Sequence, residues 1–361
     1  MNAEPKYNDG IGENPIDEQK KLFQIDEEKY EFVKKIGHEN FDIKCKIIDK
    51  KTKRPLIMRK SCSAFNNPHY AKCLVREIYM LKFFDHENIV KLVDIVKPEA
   101  QTNSKDISFI TEDMECSLHQ IIASKQTLTD DHVKFFIYQV LAGIFYIHSA
   151  DVVHRDLRPR TLFVNSHSEL KIWSFNYAKS LSEEGNINSE YVSVRYYRAP
   201  ELVLDEKHGK PVDIWAIGCI LTELLRRSPL FTGKDYLDQL NKILEIIGTP
   251  EEDDLGWIQN QAGLKYIKNL PKKNRVVWKD LFPDANPDLL DLIDKILVFN
   301  PAKRPTVQEC LNHPYFHDIY DPEEMKVCSE KFVWPGDEIE TPIETLQTML
   351  YGESQSSGSS Q

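Results

Sequence analysis

The sequence lacks any close pairing of cysteines. Seven are present, Cys45, Cys62, Cys73, Cys116, Cys219, Cys310 and Cys328, an odd number with no CxxC among them. That pattern excludes a dithiol redox motif or a cysteine zinc site and points to a reducing compartment. Long hydrophobic runs are also missing. The longest apolar stretch, from Ile214 to Leu225, is too short to span a bilayer, and the opening MNAEPKYNDGIGENP has no apolar core for a signal peptide. No membrane is expected, and the expected location is cytosol or nucleus. Positive charge is in deficit: 46 Lys and Arg against 57 Asp and Glu leave a formal net charge of −11. Such a chain repels a phosphate backbone, so nucleic acid is not an expected partner and basic peptides are.

What remains is ordinary for a folding chain. It has 361 residues, 41% hydrophobic and 29% charged, enough for two packed lobes. Residues 1–22 and 352–361 are polar or low in complexity and read as tails. YEFVKKI, FDIKCKIID and LIMRK read as strands, with KKTKRP as a turn, and they predict a small antiparallel sheet. In HYAKCLVREIYMLKFF, the residues Leu74, Ile78, Leu81 and Phe84 recur at helical spacing, with Glu77 beside the stripe. After NIVKLVDIV and ISFITEDM the text turns helical. Thr129 is placed to cap a very apolar helix through HSA, with Asp130 and Asp131 in its first turn. DIWAIGCILTELLRR, YLDQLNKILEIIG and PDLLDLIDKILVF carry the same period. Strands early and helices late predict an α+β protein, and no internal repeat is visible.

After the central helix stands His154-Arg155-Asp156-Leu157, followed by Arg158, Pro159, Arg160 and Thr161, then LFVNSHSELKIWSF. Alone, such a triplet is an ordinary turn. Downstream come Arg198-Ala199-Pro200-Glu201, then Asp213-Ile214-Trp215 with Gly218-Cys219, then Lys303-Arg304-Pro305. Four blocks in this order resemble a protein kinase, in which H-R-D-L-x-x-x-N is the catalytic loop and A-P-E follows the activation segment. The resemblance implies a bilobal fold: an N-lobe over 23–113, a C-lobe over 114–316 and a docking or extension segment over 317–351. It makes Asp156 the base position and Glu201 with Arg304 a structural ion pair.

The parts that hold ATP are mostly altered. Where the kinase has G-x-G-x-x-G-x-V, this chain has Gly37-His38-Glu39-Asn40-Phe41-Asp42-Ile43-Lys44, with only the first glycine kept. Glu39 and Asp42 place carboxylates where a polyphosphate would lie. Like charges 4 Å apart cost ~1 kcal/mol in water and ~4 at an intermediate dielectric, unless both side chains swing outward into solvent. Arg59 replaces the phosphate-binding Lys and keeps charge without shape; it serves either as a structural strut to Glu77 or as a displaced phosphate contact. Thr161 replaces the metal-binding Asn, Arg158 the usual Lys, and Ser174-Phe175-Asn176 stands for D-F-G. A neutral hydroxyl is a poor substitute for the carboxylate charge that Mg²⁺ needs. Thr111 falls at the gatekeeper, with Asp113 and Met114 following in the adenine-binding stretch.

LTDDHVKFFIYQVLAGIFYIHSADVVHRDLRP, FITEDMECSLHQII and KDYLDQLNKILEIIGTP resemble mitogen-activated protein kinases, from about Leu22 to Leu350. That resemblance implies a T-x-Y-like motif at Ser189-Glu190-Tyr191, either a dual phosphate acceptor or simply exposed loop, with Arg76, Arg155, Arg195 and Arg198 at phosphate-binding positions. Val194 stands where the family has a threonine bonded to the catalytic residues. HDIYDPEEM resembles the docking site for basic peptides, carried by Asp321 and Glu324, or is a solvated acidic face. FVWPGDEIETPIETLQTMLYGE resembles the extension that returns to the small lobe. The reading is an inactive member, with no cofactor and no metal expected, that docks an upstream dual-specificity kinase, phosphatases, docking-motif proteins or related active kinases. The alternatives are an active serine/threonine kinase using ATP and Mg²⁺ through Lys44 or Arg59 and Asp156, and a nucleotide-binding module without transfer.

Overall fold

The alternating text of residues 30–61 sets the first sheet. In a computed structural model the described residues are 16–39, 42–98, 105–181, 187, 194–204, 206–336 and 341–352, with backbone alone at 16–18, 38 and 39. These fall into two units. The smaller takes the described residues of Met1–Val75, Lys91–Asp113 and Ile339–Gln361; the larger takes Arg76–Val90 and those of Met114–Glu338.

In the smaller unit a short helix α1 (Ile16–Lys21) precedes strands β1 (Tyr30–Glu39), β2 (Asp42–Asp49), β3 (Pro55–Ser61), β4 (Leu92–Val96) and β5 (Ile107–Glu112). They form one antiparallel sheet in the order β1-β2-β3-β5-β4. Alternation in β2 turns Ile43, Cys45 and Ile47 inward, where they meet Phe23, Tyr30, Leu56, Met58 and Ile110. The expected tail at 1–22 is therefore corrected for 16–22. Residues 16–21 are helical, Phe23 is fully buried in the sheet's core, and its amide donates to the Lys20 carbonyl. The C-terminal helix Ile343–Tyr351 belongs to this unit, and the Tyr351 hydroxyl donates to the Asp106 carbonyl.

Helix α2 (Pro68–Phe83) is divided between the units at Val75 and Arg76. Residues 76–90 group with the larger unit, whereas the resemblance assigns all of 23–113 to one lobe. The reason is local: Val90 donates to the Ile172 carbonyl, Ile172 donates to Asn88, and the Asn88 amide group bonds Gln139 and Leu170.

The larger unit is mainly helical: α3 (Leu118–Ala123), α4 (Asp130–Ser149), α5 (Pro200–Val203), α6 (Pro211–Arg226), α7 (Tyr236–Ile247), α8 (Gln261–Lys268), α9 (Trp278–Leu281), α10 (Pro287–Ile296) and α11 (Val307–Leu311). Short strands β6 (Cys116–Ser117), β8 (Leu162–Val164) and β9 (Leu170–Ile172) pair in one sheet, and β7 (Val152–Val153) pairs with β10 (Lys179–Ser180). Thr129 caps α4 in a reciprocal box with His132. Gly143 lets α4 approach β9: a Cβ there would lie 2.7 Å from Ile172 Cδ1 and 3.2 Å from the Asn88 carbonyl oxygen. Cys219 in α6 and Cys310 in α11 are buried thiols of this unit, as Cys45 is of the smaller one. The strand-rich first part and helical remainder match the α+β expectation. Among the described residues no helix is long and apolar enough to cross a membrane.

Candidate active site

The altered phosphate loop is the β1–β2 turn. Gly37 pairs with Lys44, and Glu39 with Asp42, across the hairpin. The Glu39 side chain, Asn40 and Phe41 lie outside the described residues. On the far side of β2, Ser61 stands directly opposite Asp42 and Arg59 opposite Lys44. Period two puts Asp42 and Lys44 on one face, so Arg59 reaches Asp42 along the diagonal.

Asp42 does not swing outward into solvent, and its charge is paired. Its Oδ2 accepts from Arg59 Nε at 3.0 Å and Nη2 at 2.7 Å. Its Oδ1 accepts from the Ser61 hydroxyl and from the Tyr70 hydroxyl at 2.7 Å. The side chain is only 14% exposed. Burial alone would raise this carboxyl, but the Arg59 charge and the bonds from Ser61 and Tyr70 outweigh it and hold Asp42 below its usual range. Burial, then Asp42, push the Tyr70 phenol up to about 12, so it stays a donor. Arg59 also lies over the Phe109 ring, 5.4 Å from its centroid. Tyr70 and Ser61 have no place in the kinase motifs, and nothing in the sequence marks them beyond being polar. Elsewhere in this unit Asp113 pairs with Lys46 at 2.5 Å, and the buried Thr111 hydroxyl has no hydrogen-bond partner among the described residues. Arg59 and Glu77 belong to different units, and their pairing stays an expectation from sequence.

In the larger unit the loop 154–161 is built from below by Asp213 in the first turn of α6. Its carboxylate accepts from His154 N at 2.9 Å, Arg155 N at 2.8 Å and His148 Nε2 at 2.8 Å. Burial would raise Asp213, yet these bonds and the imidazole charges hold it low. They fix Arg155 at a left-handed φ of 64°. Asp156 is buried: its Oδ1 has no hydrogen-bond partner among the described residues, and its Oδ2 accepts from Arg158 Nε at 3.3 Å. The Thr161 hydroxyl accepts from Arg158 N and points its proton at the carbonyls of Asp156 and Arg158, 2.9 and 3.0 Å away. It is spent inside the loop.

After β9, the Trp173 amide donates to the Thr161 carbonyl, and the Trp173 ring meets Phe163 edge-on at 4.6 Å. Ser174 follows at φ 69°, half-buried, and Phe175 donates its N–H to Glu77 Oε1 at 3.0 Å while its ring packs on Phe84. The test for Mg²⁺ is the donor set. The positions of both protein ligands hold hydroxyls, one turned inward, and the retained carboxylate of Asp156 faces a guanidinium. These positions offer hydroxyls where hard Mg²⁺ is ordinarily met by carboxylate charge.

The four arginines separate into two pairs. Arg76 Nη2 and Arg155 Nε donate to the carbonyls of Asn176 and Tyr177, at 3.4 and 2.7 Å. Arg195 donates to Gly233 and Lys234 carbonyls, and Arg198 to the Tyr236 hydroxyl at 3.0 Å. Ser189 and Tyr191 lie outside the described residues. The structure brings Glu201 and Arg304 together through two bonds of 2.7 Å, both side chains buried. Met114 is buried, whereas Asp321 and Glu324 are exposed, with the Glu323 N–H donating to Asp321 Oδ1 at 2.9 Å.

Residues 30–316 match the family described as protein kinase domain. The chain is 39% identical over 333 residues to a mitogen-activated protein kinase homolog, NTF6, of Nicotiana tabacum, covering 92% of this chain and 90% of that one. The chain belongs to the mitogen-activated protein kinase family. Mitogen-activated protein kinase 3 of Arabidopsis thaliana is equally similar, 39% over 333 residues with the same coverage. Extracellular signal-regulated kinase 1 of Dictyostelium discoideum is 40% identical over 328 residues, which is 90% of this chain and 62% of that protein. Within this kinase family member, the loop scaffold around Asp156 is intact, and the groups expected to meet phosphates and metal are substituted.

Proposed function

We propose that this mitogen-activated-type kinase works by binding partners in a phosphorylation pathway rather than by transferring phosphoryl groups. The observation that carries the reading is the donor set: Arg59 is engaged by the chain's own Asp42, and the two metal-ligand positions offer only the hydroxyls of Thr161 and Ser174. Metal charge stabilisation is worth several kcal/mol in phosphoryl transfer, and each 1.36 kcal/mol is tenfold in rate, so its loss costs orders of magnitude. In this reading Asp156 serves the loop's shape. Exposed Asp321 and Glu324 receive basic docking segments of an upstream dual-specificity kinase, a phosphatase or a related active kinase, in cytosol or nucleus. Ser189 and Tyr191 are the candidate acceptors that regulate it, with the four arginines as their phosphate partners.

The comparisons favour the second reading, an active serine/threonine kinase using ATP and Mg²⁺, because the relatives are kinases by name and Asp156 is retained. The two are separated by radiolabelled phosphate transfer from ATP with Mg²⁺ to a basic protein substrate, comparing wild type with Asp156→Asn. The expected result is no transfer above the Asp156→Asn background. Transfer that disappears in that variant establishes the active kinase and overturns the binding reading.

A further inference from the structure

The Asp42 carboxylate is surrounded as a bound anion is surrounded. Arg59 gives it two N–H donors on Oδ2, while Ser61 and Tyr70 give hydroxyl donors to Oδ1. The four donors come from β3 and α2, converge on one small volume, and place a cation at its base, the pattern by which proteins hold oxyanions. The ring of Phe109 lies against the guanidinium, 5.4 Å from its carbon to the ring centroid. Asp42 itself enters from the start of β2 and keeps 14% of its side chain exposed, so the position it fills is reachable from solvent.

We infer that Arg59, Ser61 and Tyr70 form a latent oxyanion site in the smaller unit, occupied by the chain's own Asp42, and that removing this carboxylate lets a polyphosphate bind there. The inference rests on the binding-only reading above and deepens it: the substitution of a loop glycine by Asp42 and of the lysine by Arg59 act as one device. The acid and the guanidinium pair with each other, so the charge that a nucleotide would meet is largely cancelled. Arg59 suits this role better than lysine does, because its planar fork presents two donors to one carboxylate.

The test uses the full chain and inorganic tripolyphosphate without metal, read by titration calorimetry, with circular dichroism to confirm folding. Wild type is expected to bind only weakly, at the limit the titration resolves. Asp42→Ala should bind at least about tenfold more tightly, equivalent to 1.4 kcal/mol, and the gain should vanish in Asp42→Ala with Arg59→Gln. Asp42→Gly, which withdraws the whole side chain and restores the residue type of the kinase motif, serves if the alanine variant does not fold. Folded Asp42 variants that bind no better than wild type overturn the inference, as does a gain that survives loss of Arg59. Phosphate transfer from Mg²⁺-ATP by wild type in a parallel assay sinks the binding-only reading alone, and the tripolyphosphate result stands independently of it.

Discussion

Two buried arginine–carboxylate pairs, one in each unit, use the same chemistry for different ends. In the larger unit Arg304 meets both oxygens of Glu201, spends its remaining donors on the carbonyls of Val298, Phe299 and Pro211, and lies over the Trp215 ring at 5.0 Å. The pair is fully enclosed and ties the start of α5 to the segment after α10. In the smaller unit Arg59 meets one oxygen of Asp42, hydroxyls take the other, and the acid keeps an edge in solvent. The first is a joint of the scaffold. The second sits at the positions where this family's resemblance places a glycine and a lysine for phosphate. An ion pair's role is thus read from what else its position would have to hold, not from its distances.

The comparison breaks most visibly at the joint. Arg304→Ala leaves Glu201 charged and buried without a partner, and the expected loss is about 3–5 kcal/mol in urea denaturation. A loss below about 1 kcal/mol would mean that the pair is decoration.

Glu223 sharpens the comparison, as a buried acid bonded to a hydroxyl, Tyr197, at 2.6 Å. Burial pushes it up to about 7 against the pull of Tyr197 and Arg160. The folded state holds its proton more tightly than the unfolded chain does. Its contribution is therefore complete below the unfolded value near 4.5 and is lost as pH rises through 7. Glu223→Gln should be the more stable protein at pH 8, by on the order of 3 kcal/mol, with the difference gone at pH 4. Parallel denaturation curves at the two pH values check the sign.

Asp42→Asn is expected to cost least, about 1–2 kcal/mol, because the hydroxyl bonds persist and solvent reaches one edge. The lowered Asp42 works in the opposite sense to Glu223: its stabilisation is present above the unfolded carboxylate range and is lost as pH falls. A cost equal to that of Arg304→Ala would erase the distinction between joint and lock.

Most of the fold was legible because its signals are local. The blocks at His154, Ala199, Asp213 and Arg304 are each a few residues long, and Thr129 before Asp130 and Asp131 marks the start of α4 without reference to anything distant. The Asp42 network was not legible. It depends on the register that sets Ser61 opposite Asp42 and on a helix that brings Tyr70 to the same face, while β1 and β2 are offset by irregularities after Phe32 and Lys35. One residue of slip would turn every side chain to the other side. The helix at 16–21 was not legible for a related reason: its polar text is held by contacts beyond it, among them the buried Phe23 and the Lys35 amide that donates to Gln19 Oε1.

The buried cysteines give each unit its own clock. Burial pushes the thiols of Cys45 and Cys310 up to about 12 and raises Cys219 as well, so none of the three offers a thiolate to a labelling reagent while its surroundings stay packed. Cys45 lies in the smaller unit and the other two in the larger. The rate at which an alkylating probe reaches Cys45, set beside its rates at Cys219 and Cys310, therefore times the opening of one unit against the other in a single unmodified chain.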